Sequence, residues 1–164
     1  MNVWFTSDLH FGHNNICKYR TQFKTEEEHR TCLKDNICSV VRPKDILWIL
    51  GDSVFTEETL DDLKSLPGVK KLIIGNHCAQ HFDQKLLYDC FKSVHGLFKK
   101  YRCWLSHAPV HPDELRGYFN IHGHSHNHII DDLRYINICP EHHNFFPRDL
   151  SWIREEIKRR EKLL

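Results

Sequence analysis

The sequence predicts an α/β fold, mixed β-sheet layers flanked by helices, in a single domain over residues 1–164. Three observations predict it. Short apolar runs alternate with helical patterns through the first half of the chain. The second half holds further apolar runs in hairpin spacing, which makes the sheet mixed. A length of 164 residues leaves room for one core and not two.

Taken in order, residues 2–7 read as a buried strand. Thr25 followed by Glu26, Glu27 and Glu28 forms a capping-box pattern that opens a helix over 25–41. The run Ile46-Leu47-Trp48-Ile49-Leu50 makes 45–50 a strand, 57–65 a helix follows, and 69–74 is a third strand. A helix over 80–89 precedes a hairpin of 91–97 with 100–106. Residues 117–122 and 133–138 are two more short strands. Pro147 and Asp149 introduce a closing helix that packs through Trp152, Ile153 and Ile157.

Composition narrows the function classes. A chain that is 40% hydrophobic and 27% charged, with 7 Gly and 6 Pro, is neither disordered nor low-complexity. Lys+Arg 23 against Asp+Glu 22 leaves a net charge of +1, so charge does not indicate nucleic acid as a partner. The 46–50 run is far short of the ~20 apolar residues of a membrane span, and no signal-peptide pattern precedes the first strand. The seven cysteines are odd in number and lack CxxC spacing, which fits a reducing cytoplasm. Histidine is the outlier. The chain has 14, and six of them fall between His107 and His128.

The polar residues at the end of each apolar run carry the chemistry. The first strand leads to Ser7-Asp8-Leu9-His10, the second to Gly51-Asp52, and the third to Gly75-Asn76-His77. Later runs lead to Ser106-His107 and to His122-Gly123-His124-Ser125-His126. Carboxyl ends of strands are where α/β sheets bind ligands. Singly, each residue has an ordinary reading: Asp8 and Asp52 as caps or turn formers, Gly75-Asn76 as a turn, His107 as a loop residue. Together they place two carboxylates, an amide and at least five imidazoles on one edge, which is costly unless cations neutralise them. Oxygen and imidazole donors without thiolate suit Mn²⁺, Fe, Zn²⁺, Co²⁺ or Ni²⁺. The donors are too many for one tetrahedral ion and suit two ions about 3.5–4 Å apart.

Asp8-Leu9-His10, Gly51-Asp52, Gly75-Asn76-His77, the lone His107 and Gly123-His124-Ser125-His126 resemble the five-part signature of calcineurin-like metallophosphoesterases. The opening Phe5-Thr6-Ser7-Asp8-Leu9-His10-Phe11-Gly12-His13 is most similar to the small single-domain phosphoesterases of phages and bacteria. The resemblance implies an αββα-type sandwich and two divalent metal ions, Mn²⁺ first, with Ni²⁺, Fe, Co²⁺ or Zn²⁺ as alternatives. It assigns Asp8, His10 and His126 to one ion, Asn76, His107 and His124 to the other, Asp52 between them, and His77 to the scissile phosphate. The implied reaction is hydrolysis of a small phosphodiester or nucleotide by a metal-bridging hydroxide, with His77 assisting the leaving group. Two such ions outweigh Asp8, Asp52 and the hydroxide by about one positive charge, enough to draw in a phosphate.

Two positions depart from the family pattern. Phe55 stands where the protein phosphatases carry an Asp that orients the catalytic histidine, and Cys78 stands where an acidic residue is common. Both argue against a protein phosphatase and leave His77 without its usual partner. Cys78 reads as a buried, inert thiol.

His13 and Asn14, just beyond the first motif, are candidate substrate-binding residues. Arg20 reads as a solvated side chain rather than a phosphate ligand. His111, Asn127, His128, His142 and His143 read as surface residues, and His29, His81 and His95 as positions without chemistry. His122 is core or supports a ligand. The 154–162 tail is a solvated helix face. A chain this short has no room for a large cap, so the expected site is an open cleft. The competing readings are a nuclease, a binding or scaffold protein that keeps the fold without catalysis, and a metal-storing module. A nuclease calls for a basic, aromatic track, a scaffold for lost ligands, and metal storage leaves Asn76 and His77 unexplained.

Overall fold

The computed structural model describes every residue except Ala79 and His81, so the reading of His81 lies outside the described residues. In chain order the elements are β1 (Val3–Thr6), α1 (Glu26–Val40), β2 (Ile46–Leu50), α2 (Leu60–Ser65), β3 (Val69–Ile73), α3 (Gln84–Tyr88), β4 (Ser93–His95), β5 (Phe98–Lys100), β6 (Cys103–Ser106), β7 (Phe119–His122), β8 (Tyr135–Asn137), β9 (Arg148–Asp149) and α4 (Leu150–Glu161). They build two sheets. The first has the order β4-β3-β2-β1-β9, parallel except for β9; the second is β5-β6-β7-β8, antiparallel only between β5 and β6.

Strand alternation explains the layering. β2 sends Leu47 and Ile49 to one face, where they meet Leu33 and Ile37 of α1 and Leu60 and Leu63 of α2. Trp48 and Leu50 point the other way, onto Leu105 of β6, Ile121 of β7 and Ile136 of β8, with Ile153 and Ile157 of α4 closing that layer. Both faces of β2 are therefore buried, which is why its sequence is uninterruptedly apolar. Each fully buried aliphatic side chain contributes about 1.5–3 kcal/mol.

The helix starts follow the sequence signals. Thr25 Oγ1 accepts from the Glu28 N–H at 3.1 Å, and Glu28 Oε2 accepts from the Lys24 N–H at 2.8 Å. Asp149 caps α4 by accepting from the Trp152 N–H at 2.8 Å. The helix expected over 80–89 begins only at Gln84, with Asp83 as its cap. The outer face of the second sheet is covered by the 107–118 segment. There Trp104 donates to Leu115 O, Asn120 accepts from the Val110 N–H, and Tyr135 donates to Val110 O. At the chain's end, Arg160 is not solvated; it donates to the carbonyls of Leu133 and Tyr135.

One expectation is corrected. The sequence pairs 91–97 with 100–106 as a single hairpin, whereas the structure divides that stretch between the sheets. β4 lies parallel to β3, and Phe91 and Val94 pack into the helical core. The hairpin is only β5 with β6, turned at Tyr101 and Arg102, whose φ values of 57° and 63° are those of a tight hairpin turn. Two opposing apolar demands cause the split: Val94 belongs to the helical layer, while Phe98 stacks on Trp48 between the sheets at 5.4 Å. β9, two residues long, carried no sequence signal. Among the described residues no helix is long and apolar enough to cross a membrane.

Three histidines are buried as neutral rings: burial pushes His29 down to about 3, and His122 and His143 to about 4. Unfolded imidazoles take up protons below about 6.5, so between there and these folded values the unfolded chain binds more protons. Stability is lost as pH falls through that window, by up to about 1.4 kcal/mol per unit for each ring. The urea midpoint of metal-free protein should fall between pH 7 and pH 5, and fall less steeply in His29→Gln. Parallel slopes in the two proteins would show that His29 does not titrate this way.

Candidate metal centre

Beyond the ends of β1 and β2 the backbone remains zipped. The Asp8 N–H donates to Gly51 O at 3.1 Å, His10 N–H to Asp52 O at 2.9 Å and Phe11 N–H to Ser53 O at 3.0 Å. Asp8 (φ 48°) and His10 (φ 52°) are left-handed on either side of Leu9, which is wholly buried in the helical core. Asp52, His124 and His126 are left-handed as well, at φ 47°, 65° and 44°. Such residues cost about 1–3 kcal/mol each and persist only where the surroundings hold them. Gly51 is required by its φ of 89° and by the His107 ring lying where a Cβ would be. A Cβ on Gly75 would run into the Asp52 carboxylate.

These turns bring all seven expected ligands together. Asp8 Oδ1 stands 3.6 Å from His10 Nε2 and 3.7 Å from His126 Nε2. His107 Nε2 stands 3.2 Å from Asp52 Oδ2, 2.8 Å from Asn76 Oδ1 and 3.2 Å from His124 Nδ1. Two groups of residues able to hold an ion result: Asp8, His10 and His126, and Asp8, Asp52 and His107, with Asp8 common to both. Asp8 Oδ2 is engaged by the His124 N–H at 2.9 Å, and Asp52 Oδ1 by the His77 N–H at 2.9 Å, so each carboxylate turns its other oxygen toward the cluster.

The donor set fits divalent cations. His107 gives its Nδ1–H to Leu50 O at 2.8 Å, so the neutral ring has no proton left for the acceptors around Nε2. Asp8 Oδ1 and both ring nitrogens of His10 are buried without hydrogen-bond partners, and such groups cost about 1–3 kcal/mol each when unpaired. A positive charge is required, as a proton or as a metal ion.

The electrostatics report the same demand. Burial would raise the Asp8 carboxyl, but close contact with His10 and the fields of His107 and His126 hold it well below the usual carboxylate range. Burial likewise opposes ionisation of Asp52, which His107 overcomes. Burial dominates at His10 and pushes it down. At His107 burial is outweighed by Asp52, and the ring is raised. His126 is raised chiefly by its hydrogen bond to Glu141.

Behind the ligands lies a buried ion pair absent from the sequence reading. His126 Nδ1–H donates to Glu141 Oε1 at 2.9 Å, and the same oxygen accepts from Arg20 Nε at 2.9 Å. Arg20 also donates to Asp8 O at 2.8 Å and to His29 Nε2 at 2.6 Å. Arg20 is 1% exposed, which overturns its reading as a solvated side chain: five guanidinium donors matched by three acceptors let it lie buried. Burial would raise Glu141, yet His126 and Arg20 bring it down to about 2. Asn137 and His142 bind the carbonyl of His126 at 3.0 and 2.6 Å, holding its left-handed backbone. His142 and the buried His143 are thus not free surface residues.

His77 finds a partner that the sequence did not name. Its Nδ1–H donates to Gln80 Oε1 at 2.9 Å, and Gln80 Nε2 donates to Asn76 O at 2.6 Å. Phe55 lies against the rings of His10, His13 and His77, at centroid distances of 5.0, 4.5 and 5.3 Å. Cys78 is buried, and burial pushes its thiol up, as expected of an inert residue. No pattern in the sequence marked Glu141, Arg20 or Gln80, because each acts on a residue brought near by the fold or by a turn.

Two clefts flank the cluster. One, of about 490 Å³, lies on the side of His10, His77 and His126; the other, of about 670 Å³, lies beside Asn76, His107 and His124. Among the described residues neither is lined by Lys or Arg. His13 lines the first, as do Asn127 and His128, read from sequence as surface residues; Asn14 is exposed and lines neither.

A two-sheet sandwich thus gathers Asp, Asn and His from its strand ends into adjoining groups able to hold an ion. The chain belongs to the calcineurin-like phosphoesterases, whose family model it matches over residues 1–163. That family binds divalent metal ions, and the Asp and His groups here are suited to them. It is similar to the Gene 66 proteins of Mycobacterium phages L5 and D29, at 41% identity over 86 residues and 42% over 85. Those matches take in 49% of this chain but only 41% and 42% of the phage proteins, so the chain spans less than half of their length. An uncharacterized protein of Methanocaldococcus jannaschii is 34% identical over 143 residues, 82% of this chain and 75% of that one. A crystal structure of a protein of unknown function from Aquifex aeolicus shares 26% identity with a TM-score of 0.75, covering 94% of this chain and 98% of the other.

Glu141→Gln keeps an acceptor for His126 but removes the charge. Calorimetric titration with Mn²⁺ should show one site weakened about ten- to a hundredfold and the other unchanged. An isotherm identical to wild type would mean that Glu141 does not support a ligand.

Proposed function

We propose that the protein hydrolyses a small phosphodiester with the help of two divalent ions. The observation that carries this reading is the placement of the Asp/His cluster between two clefts whose described linings contain neither Lys nor Arg. A diester has two organic arms and a single negative charge, so it suits two clefts that hold no Lys or Arg among their described lining residues. A monoester dianion or a polyphosphate would call for Lys or Arg beside the metals.

In this reading Asp8, His10 and His126 hold one ion, Asn76, His107 and His124 the other, and Asp52 lies between them. Mn²⁺ is the first choice, with Ni²⁺, Fe, Co²⁺ and Zn²⁺ compatible with the same donors. The bound ions supply Lewis acidity toward the phosphoryl oxygens and a water acidic enough to ionise near neutral pH. As the imidazolium, His77 would give the leaving oxygen its Nε2 proton and keep its Nδ1–H on Gln80. Its backbone bond to Asp52 Oδ1 ties that proton donor to the metal cluster. Phe55 and Ile16 keep water from the flank of the site. Burial keeps the Cys78 thiol protonated, so it is not offered as a nucleophile. The described cysteines are all free thiols, which supports a reducing compartment such as the cytoplasm.

The test uses chelator-stripped protein with Mn²⁺, Ni²⁺, Co²⁺, Zn²⁺ or Mg²⁺ restored. Bis(p-nitrophenyl) phosphate should turn over only with metal, and faster than p-nitrophenyl phosphate. Asp52→Asn should abolish turnover, and His77→Ala should lower kcat by about 10²- to 10⁴-fold on diesters with a poor leaving group. Faster hydrolysis of the monoester would overturn the diesterase assignment. Metal binding with neither ester hydrolysed would point to a binding protein on this fold.

A further inference from the structure

We infer that Cys139 is a positioning residue for the metal centre: its thiol holds the Asp8 carboxylate in the rotation that turns Oδ1 toward the ion. The inference rests on Asp8 as a metal ligand and not on the phosphodiesterase reading.

Cys139 Sγ stands 3.3 Å from Asp8 Oδ2, and Ser7 Oγ donates to the same sulfur at 3.7 Å. Ser7, Asp8 and Cys139 are all wholly buried, so bulk water does not compete for these bonds. An ionised carboxylate only accepts, so the proton between Asp8 and Cys139 lies on sulfur. Burial and the neighbouring Asp8 charge push the thiol up, in the direction that keeps it there. Asp8 Oδ2 thereby receives two hydrogen bonds, one from the His124 N–H at 2.9 Å and one from the Cys139 S–H. Gly123 closes a third side, because a Cβ there would meet Asp8 Oδ2 and the Ser7 side chain. With one oxygen enclosed, the other is directed at His10 and His126, at 3.6 and 3.7 Å from their Nε2 atoms.

The backbone places the thiol. Cys139 follows β8, and its N–H donates to Asn137 Oδ1 at 2.9 Å. It also precedes Pro140, at the start of the turn that carries Glu141 and His142. The segment from Asn137 to His142 thus braces two members of the Asp8, His10 and His126 group. Asn137, Glu141 and His142 reach His126, and Cys139 reaches Asp8. A thiol suits this task. Lys or Arg in its place would neutralise Asp8 and take up charge that the ion needs, whereas a weak neutral donor orients the carboxylate and leaves its charge in place. Cys139 belongs to neither group of residues able to hold an ion, so it acts through Asp8.

The test reads the bond and its consequence separately. The S–H infrared stretch of Cys139 is isolated, in each background, as the difference from the protein carrying Cys139→Ala. It should sit at the hydrogen-bonded, low-frequency end and move up in Asp8→Asn, where the acceptor loses its charge. A band unmoved by Asp8→Asn would overturn the inference. Calorimetric titration with Mn²⁺ should show the ion at Asp8 bound about three- to thirtyfold more weakly in Cys139→Ala. Cys139→Ser, which restores a donor of similar size, should recover most of that loss. Wild-type affinity in Cys139→Ala, or equal losses in the two variants, would also overturn the inference, since equal losses are what packing alone produces. Circular dichroism would verify folding; where Cys139→Ala does not fold, Cys139→Ser serves for the difference spectrum and the infrared shift decides. Wild-type protein that takes up no Mn²⁺ would overturn the metal reading instead, and the infrared shift would still decide the bond.

Discussion

The carboxylate of Asp8 lies wholly buried where the ends of two sheets meet, and much of the surrounding structure answers its charge. An isolated carboxylate in that position would be protonated or would unfold the site. Here one oxygen takes the His124 N–H from the second sheet, the other faces His10 and His126, and the residue's own carbonyl is held by Arg20. The first sheet thus supplies the charge and the second supplies much of what compensates it. The sandwich cannot slide without breaking that match.

The left-handed residues show the cost of the arrangement. Asp8, His10, Asp52, His124 and His126 adopt a conformation that side chains usually avoid. Between Asp8 and His10, Leu9 faces the helical core while its two neighbours face the cluster. The cost is offset by bonds to their backbone, from Gly51 and Asp52 on one loop and from Asn137 and His142 on the other. Donors already in place lose little on binding an ion.

The departure at Phe55 and the partner of His77 have a common structural consequence. Phe55 in place of an acid turns one side of the centre into an apolar, ring-lined wall, and Gln80 holds His77 through a neutral amide. A neutral partner orients the imidazole without the electrostatic pull of a carboxylate. The site is accordingly less charged around the Asp/His cluster than an acid at position 55 would make it.

Much of the fold, and the gathering of the seven candidate residues at one edge, were legible in the chain for local reasons. A strand buried on both faces must be continuously apolar, a helix start must cap its amides, and a loop after a parallel strand opens on the binding edge; 46–50, Thr25 and the five polar clusters each obey one of these rules. What only the tertiary structure decided depends on surfaces meeting across the fold. Val94 and Phe98, four residues apart, went to different layers because two cores competed for them. Arg20 became a buried clamp because Glu141, 121 residues away, arrived to neutralise it. Local sequence encodes periodicity and turns, whereas long-range charge pairing exists only once the chain has folded, so the polar cluster could be read in advance and its supports could not.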